Sequence, residues 1–204
     1  MGGTFDPVHI GHLAIAEEAR EALKLDRVLF VPAGRPPHKP KRAVTAVHHR
    51  VAMVELAIID NPAFELSPIE VDRDGPSYTV DTVEALARGQ DGSRSPGERG
   101  LTLILSAETF AELPTWHQPG RIFDVARVAV APREGYPAPD PAWIASAFPE
   151  AKARVTYLEG PMLGVSSTGI RERVAEGQSI RYLVPTPVEA YILNHHLYRR
   201  PTRS

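Results

Sequence analysis

Apolar and polar positions follow two rhythms along the chain. From Leu13 to Leu25 (LAIAEEAREALKL), Leu13, Ala16, Ala19 and Leu23 recur near helical spacing among Ala, Leu and Glu, predicting an amphipathic helix. Arg27–Val31 (RVLFV) is instead a short apolar, β-branched run closed by Pro32, the signature of a buried strand. A second helical stretch runs from His48 to Asp60, with Val51, Val54, Ala57 and Ile58 on one side and Asn61-Pro62 as its stop. Short strands are predicted at Phe64–Ser67 and Ile69–Asp72, then a helix over Thr79–Ala87 capped by Ser77 or Thr79. The hydrophilic run Arg88–Gly100 reads as a surface loop. Leu101–Leu105, Arg127–Ala131 and Arg154–Leu158 are three further strands with helical stretches between them. Thr186-Pro187-Val188-Glu189 has a capping-box pattern and opens a last helix.

Strands and helices alternating in this way predict an α/β fold, a doubly wound parallel sheet whose ligands bind at the carboxyl ends of the strands. The chain has no internal repeat and no shift of composition that marks a second domain, so residues 1–204 are expected to form one domain. With 43% hydrophobic and 24% charged residues it can build a core and a solvated surface. Lys+Arg 23 against Asp+Glu 25 leaves a net charge of −2, so no global field attracts nucleic acid or anionic lipid, and neither is expected as a partner. Without cysteine there is no disulfide framework, thiolate metal site or thiol nucleophile. No run approaches the ~18 apolar residues of a membrane span, and no secretory leader is evident, so a cytoplasmic location is expected. Oligomeric state is left open.

Two segments carry candidate chemistry. The chain opens Met1-Gly2-Gly3-Thr4-Phe5-Asp6-Pro7-Val8-His9-Ile10-Gly11-His12 and runs directly into the first helix. Glycines and a hydroxyl before a helix let backbone N–H groups approach phosphate oxygens, where the positive end of the helix dipole favours negative charge. His9 and His12, three residues apart, can face one ligand. Near the other end, Gly164-Val165-Ser166-Ser167-Thr168-Gly169-Ile170-Arg171 places hydroxyls and a guanidinium about a turn apart at a helix start, a second candidate phosphate cradle. Taken alone, each segment also reads as a glycine turn with surface histidines, or as an ordinary helix cap with a solvated arginine. The pair His48–His49 reads as one exposed and one half-buried histidine of the second helix and is assigned no chemistry; nor is His195–His196, since adjacent helical residues diverge by roughly 100°.

The His-x-Gly-His signature after Gly-Gly-Thr-Phe-Asp-Pro, together with Ser166-Ser167-Thr168-Gly169-Ile170-Arg171, resembles the nucleotidyltransferases related to class I aminoacyl-tRNA synthetases. Within them the chain is most similar to the bacterial nicotinate-nucleotide adenylyltransferases, through Pro36-Pro37-His38-Lys39, Gly75-Pro76-Ser77-Tyr78-Thr79, Leu113-Pro114-Thr115-Trp116 and Gly177–Pro185. The resemblance implies a Rossmann-like sheet with a small C-terminal helical portion. It implies transfer of the adenylyl group of ATP to nicotinate mononucleotide, giving deamido-NAD and pyrophosphate, with Mg²⁺ accompanying ATP. On the matching positions, His9 and His12 would contact the ATP phosphates as the catalytic pair. Gly2, Gly3, Thr4 and Phe5 would form the turn around ATP; Lys39 would reach its phosphates; Ser167, Thr168 and Arg171 would grip the outer ones. Trp116 would lie against the pyridine ring and Thr79 would meet its carboxylate.

Two departures qualify the resemblance. Ser106-Ala107-Glu108 stands where the family usually has Gly-x-Asp, which makes Glu108 a doubtful nucleotide contact. The family also has an apolar first strand before its glycines, whereas Met1 directly precedes Gly2; that central strand is expected to be missing, and the native protein is expected to begin upstream. Rival readings are an adenylyltransferase for nicotinamide mononucleotide or another phosphorylated acceptor, and a non-catalytic nucleotide-binding module.

Overall fold

The computed structural model describes residues 1–35, 44–89, 100–138 and 140–200. Lys39, its neighbouring prolines and most of the hydrophilic run at Arg88–Gly100 lie outside the described residues. In chain order the elements begin β1 (Gly2–Gly3), α1 (Ile10–Ala22), β2 (Val28–Pro32), α2 (Val47–Ile58), β3 (Phe64–Leu66) and α3 (Thr79–Ala87). They continue with β4 (Leu101–Ser106), α4 (Ala107–Ala111), α5 (Ile122–Val125), β5 (Ala126–Ala131), α6 (Pro141–Ala147), β6 (Val155–Tyr157), α7 (Ser167–Ala175) and α8 (Thr186–Asn194).

All strand pairs are parallel, in two hydrogen-bonded sheets ordered β1-β2-β3 and β4-β5-β6. Because β1 also packs against β4, the halves sit side by side in the order 3-2-1-4-5-6 of a doubly wound dinucleotide-type sheet. The expectation of a wholly missing first strand is corrected here. Gly2 and Gly3 pair with Val31 and Pro32, and the Met1 carbonyl accepts from the Val31 N–H at 3.0 Å. The first strand is this two-residue pair, and the N-terminal amine donates to the Leu29 carbonyl at 2.8 Å. Burial there pushes the amine's pKa down from 8.0 to about 5.

Side chains alternate across the sheet and so build two cores. Ile104 of β4 and Ala129 and Ala131 of β5 face α1, α2, α7 and α8, where Ala16, Met53, Ile170, Val188 and Ile192 are buried. Leu103, Leu105, Val128 and Val130 face the opposite way, onto Val80, Val83, Phe110, Ile122 and Ile144. The two C-terminal helices therefore belong to the first core rather than to a separate unit.

Three sequence expectations are corrected. Ile69–Asp72 is not a strand but a turn, with Val71 and Asp72 N–H both donating to the Pro68 carbonyl; proline before an Asp/Gly-rich run favours turning over extension. Thr186 is the first helical residue of α8 rather than its cap; Pro185 holds that place without a side-chain bond. For α3 the cap position is Tyr78, and the Ser77 hydroxyl instead accepts from the N–H groups of Gly34 and Arg35, both at 3.1 Å.

Candidate active site

A cavity of about 1010 Å³ opens between the two half-sheets, at the carboxyl ends of β1 and β4 where the strand order reverses. Its walls bring together Gly2, Gly3, Thr4, Phe5, His9 and His12 with Thr79, Glu108, Trp116 and Ser167, residues far apart in sequence. Below Met1 the cavity continues between β2 and β4, past Val28 and Leu29 on one side and Leu101–Leu103 on the other.

The turn from β1 into α1 is shaped from within. Phe5 is a non-glycine residue at φ +49°, a left-handed conformation that costs energy unless its surroundings impose it. Its ring, 2% exposed, is locked between Phe30 and the edge of His12, so Phe5 supplies core packing and backbone rather than a ring for the ligand. Gly3 makes this possible, since a Cβ there would come within 3.0 Å of the Phe5 ring. Gly11 has the same role for His9: a Cβ would lie 3.0 Å from His9 Nδ1. Glycine inside the His-x-Gly-His string thus makes room for the first imidazole.

His9 and His12 stack at the N-terminus of α1 with ring centroids 3.7 Å apart. The His9 main-chain N–H donates to His12 Nδ1 at 3.2 Å, so in neutral His12 the ring proton resides on Nε2. Burial, together with the Arg133 cation, lowers the pKa of His9 from 6.5 to about 4. His12 is lowered well below its ordinary value by burial, His9 and Arg133. Both rings are therefore neutral near pH 7. His9 Nδ1 is buried without a hydrogen-bond partner among the described residues, which leaves one polar atom of the site unsatisfied.

The C-terminal segment closes directly onto the glycine turn. Ser166 caps α7, accepting from the Gly169 N–H at 3.1 Å. The Ser167 hydroxyl donates to the Pro7 carbonyl at 2.8 Å, and the Arg171 guanidinium donates to the Asp6 carbonyl at 2.5 Å and to Thr168 Oγ1 at 2.7 Å. Tyr198 adds a bond from its hydroxyl to Asp6 Oδ1 at 2.9 Å. Ser167 lines the cavity; Thr168 and Arg171 stand outside its lining, next to it on the same helix turn.

At the far wall, Thr79 and the partly buried Trp116, which also packs against the second core, both line the cavity, and the Tyr78 ring packs on His117 at 4.5 Å. Glu108 reaches the rim, where Arg133 lies at 3.6 Å and the Tyr136 hydroxyl donates to it at 3.3 Å. Arg133 was not singled out in the sequence, yet it lines the cavity and biases both histidines. Its place just after β5 was the available signal, because ligands of such sheets gather at strand carboxyl ends.

A family model described as Cytidylyltransferase-like matches residues 1–173. The chain belongs to the cytidylyltransferase-like family. Among relatives of this family member, a Roseiflexus sp. (strain RS-1) protein named "Probable nicotinate-nucleotide adenylyltransferase" is 49% identical over 98% of this chain and 96% of its own length. A Thermomicrobium roseum protein of the same name is 45% identical over 98% and 90%. Among solved structures, Plasmodium falciparum nicotinic acid mononucleotide adenylyltransferase complexed with NaAD superposes with a TM-score of 0.75 at 17% identity, over 97% of this chain and 94% of that one. The same enzyme complexed with APC gives a TM-score of 0.73 at 17% identity over the same shares, and both likenesses concern the fold. The resemblance read from the motifs is borne out by these relatives, and the Rossmann-like architecture by the fold.

Proposed function

We propose that this protein transfers the adenylyl group of ATP to nicotinate mononucleotide, with residues 1–204 acting as one nucleotidyltransferase domain. The observation that carries the reading is the closure of the α7 start over the glycine turn, beside two stacked neutral imidazoles at the N-terminus of α1. The names of the relatives supply the acceptor.

In the reaction a phosphate oxygen of the mononucleotide attacks the α-phosphorus of ATP, the bond from that phosphorus to the bridging oxygen breaks, and pyrophosphate leaves. Catalysis of such a step is mostly positioning and stabilisation of charge on the transferring and leaving groups. His12 Nε2–H and the orphaned His9 ring donate to the triphosphate, whose charge draws their pKa values back up. Gly2, Gly3 and Thr4 give the triphosphate a close backbone approach, and Ser167, Thr168 and Arg171 meet its outer phosphates. Lys39 joins them by resemblance alone. Trp116 offers a face to the cationic pyridinium and the Thr79 turn offers donors to its carboxylate. Mg²⁺ accompanying ATP would supply charge neutralisation at its phosphates.

The test is pyrophosphate release by the purified protein with ATP, Mg²⁺ and either nicotinate or nicotinamide mononucleotide. Release with the nicotinate form, and less with the nicotinamide form, is expected; a reversed preference would change the acceptor, and no release with either would favour a binding module. His12→Ala is expected to lower turnover by about 10²-fold, the worth of one well-placed donor, while mononucleotide binding stays within about twofold. Unchanged turnover would remove His12 from the mechanism.

A further inference from the structure

Arg50, on α2 and outside the cavity lining, is the largest fully buried side chain of the molecule's described residues, at 2% exposure. Its guanidinium donates to three main-chain carbonyls from three loops: Nη1 to Thr4 at 2.8 Å, Nε to Thr45 at 3.0 Å and Nη2 to Gly34 at 3.4 Å. Burying a cation is costly, and ordinary core filling would use an apolar side chain in its place. What the guanidinium adds is a planar fork that fixes several carbonyls at set angles.

The orientation of those carbonyls bears on the phosphate cradle. In a trans peptide the C=O and the next N–H point in opposite directions. Drawing the Thr4 carbonyl toward Arg50 therefore turns the Phe5 N–H away from Arg50, at the one left-handed non-glycine residue of the turn. The Gly34–Arg35 peptide shows the same grip from both sides, its carbonyl held by Arg50 and its N–H donated to Ser77 Oγ at 3.1 Å.

We infer that Arg50 is a positioning residue for the ATP phosphates: it acts through the Thr4–Phe5 peptide, setting the donor face of the glycine turn without touching substrate. This rests on the reading of the cavity as an ATP site. A merely structural arginine would alter how much protein folds; a positioning arginine alters how well the folded protein holds ATP.

Calorimetric titration separates the two. Wild type, Arg50→Lys and Arg50→Met are titrated with ATP and Mg²⁺, the mononucleotide omitted, reading binding stoichiometry as the folded fraction and Kd as the quality of the site. Steady-state KM values for ATP and for nicotinate mononucleotide are measured alongside. Expected are an ATP Kd and KM raised about tenfold or more in Arg50→Lys, which keeps the charge and loses the fork, with the mononucleotide KM within twofold. Arg50→Met, if folded, exceeds that loss. A lower stoichiometry with unchanged ATP Kd in Arg50→Lys overturns the inference while leaving the ATP site intact. Wild type that binds no ATP overturns both, and is read without any variant.

Discussion

The two half-sheets are held together by different means. β4 and β5 pair at six successive positions, from Leu101↔Ala126 to Ser106↔Ala131, and β6 continues the ladder. β1 pairs with β2 at only two positions, Gly2↔Val31 and Gly3↔Pro32. Yet the short-laddered half carries the glycine turn, both histidines and the start of α1. There the backbone is fixed by side chains reaching in from elsewhere: Arg50 on Thr4, Arg171 and Tyr198 on Asp6, Ser167 on Pro7. A ladder fixes all residues of a strand alike, whereas side-chain tethers fix chosen peptides. The comparison teaches that the site is shaped by long-range polar contacts from α2, α7 and Tyr198, laid over a two-residue strand.

The most direct way to break this contrast is to lengthen the ladder. A fusion of about five apolar, β-branched residues ahead of Met1 is expected to enter the space between Val28–Leu29 and Leu101–Leu103 and to replace a buried amine with an amide. Stability in urea should rise by about 4 kcal/mol, with a melting temperature higher by roughly 10 °C. A Gly/Ser fusion of equal length serves as control; equal effects of the two would contradict the reading of that space as strand-shaped.

A smaller effect sharpens the contrast by pH. The Met1 amine, at about 5 instead of 8.0, and His9, at about 4 instead of 6.5, both sit in the short-laddered half. Each binds its proton less readily folded than unfolded, so the unfolded chain takes up more protons between the two values and stability rises with pH across that interval. Stability is expected to be greatest near pH 8 and to fall by several kcal/mol toward pH 5, with the loss continuing to pH 4 as His9 charges. Amide exchange in Gly3–His12 should quicken before exchange in β4 and β5 as the pH is lowered. A uniform response, or a stability that rises on acidification, would count against it.

Local signals were legible in the sequence wherever near neighbours decide. The bounds of α3 match the predicted Thr79–Ala87, and the strands of the second half fall within a residue of their apolar runs at most ends. The helix predicted from Leu13 starts at Ile10 because a histidine ring nitrogen serves its first turn, which side-chain periodicity does not register. The glycine turn and the Ser166–Arg171 segment were recognisable as phosphate-type loops. Their mutual hydrogen bonds span more than 150 residues and depend on how the sheet closes. Arg50 and Arg133 escaped for a related reason: hydropathy counts an arginine as solvated, and only the packed fold puts one under the turn and the other beside the histidines.

The central claim is that the two ends of the chain enclose one triphosphate. A crystal structure with a non-hydrolysable ATP analogue and Mg²⁺ tests it most directly. Phosphate oxygens at about 3 Å from both His12 Nε2 and Ser167 Oγ are predicted. A triphosphate bound away from one of these groups, or an α7 start turned aside from the glycine turn, would contradict it.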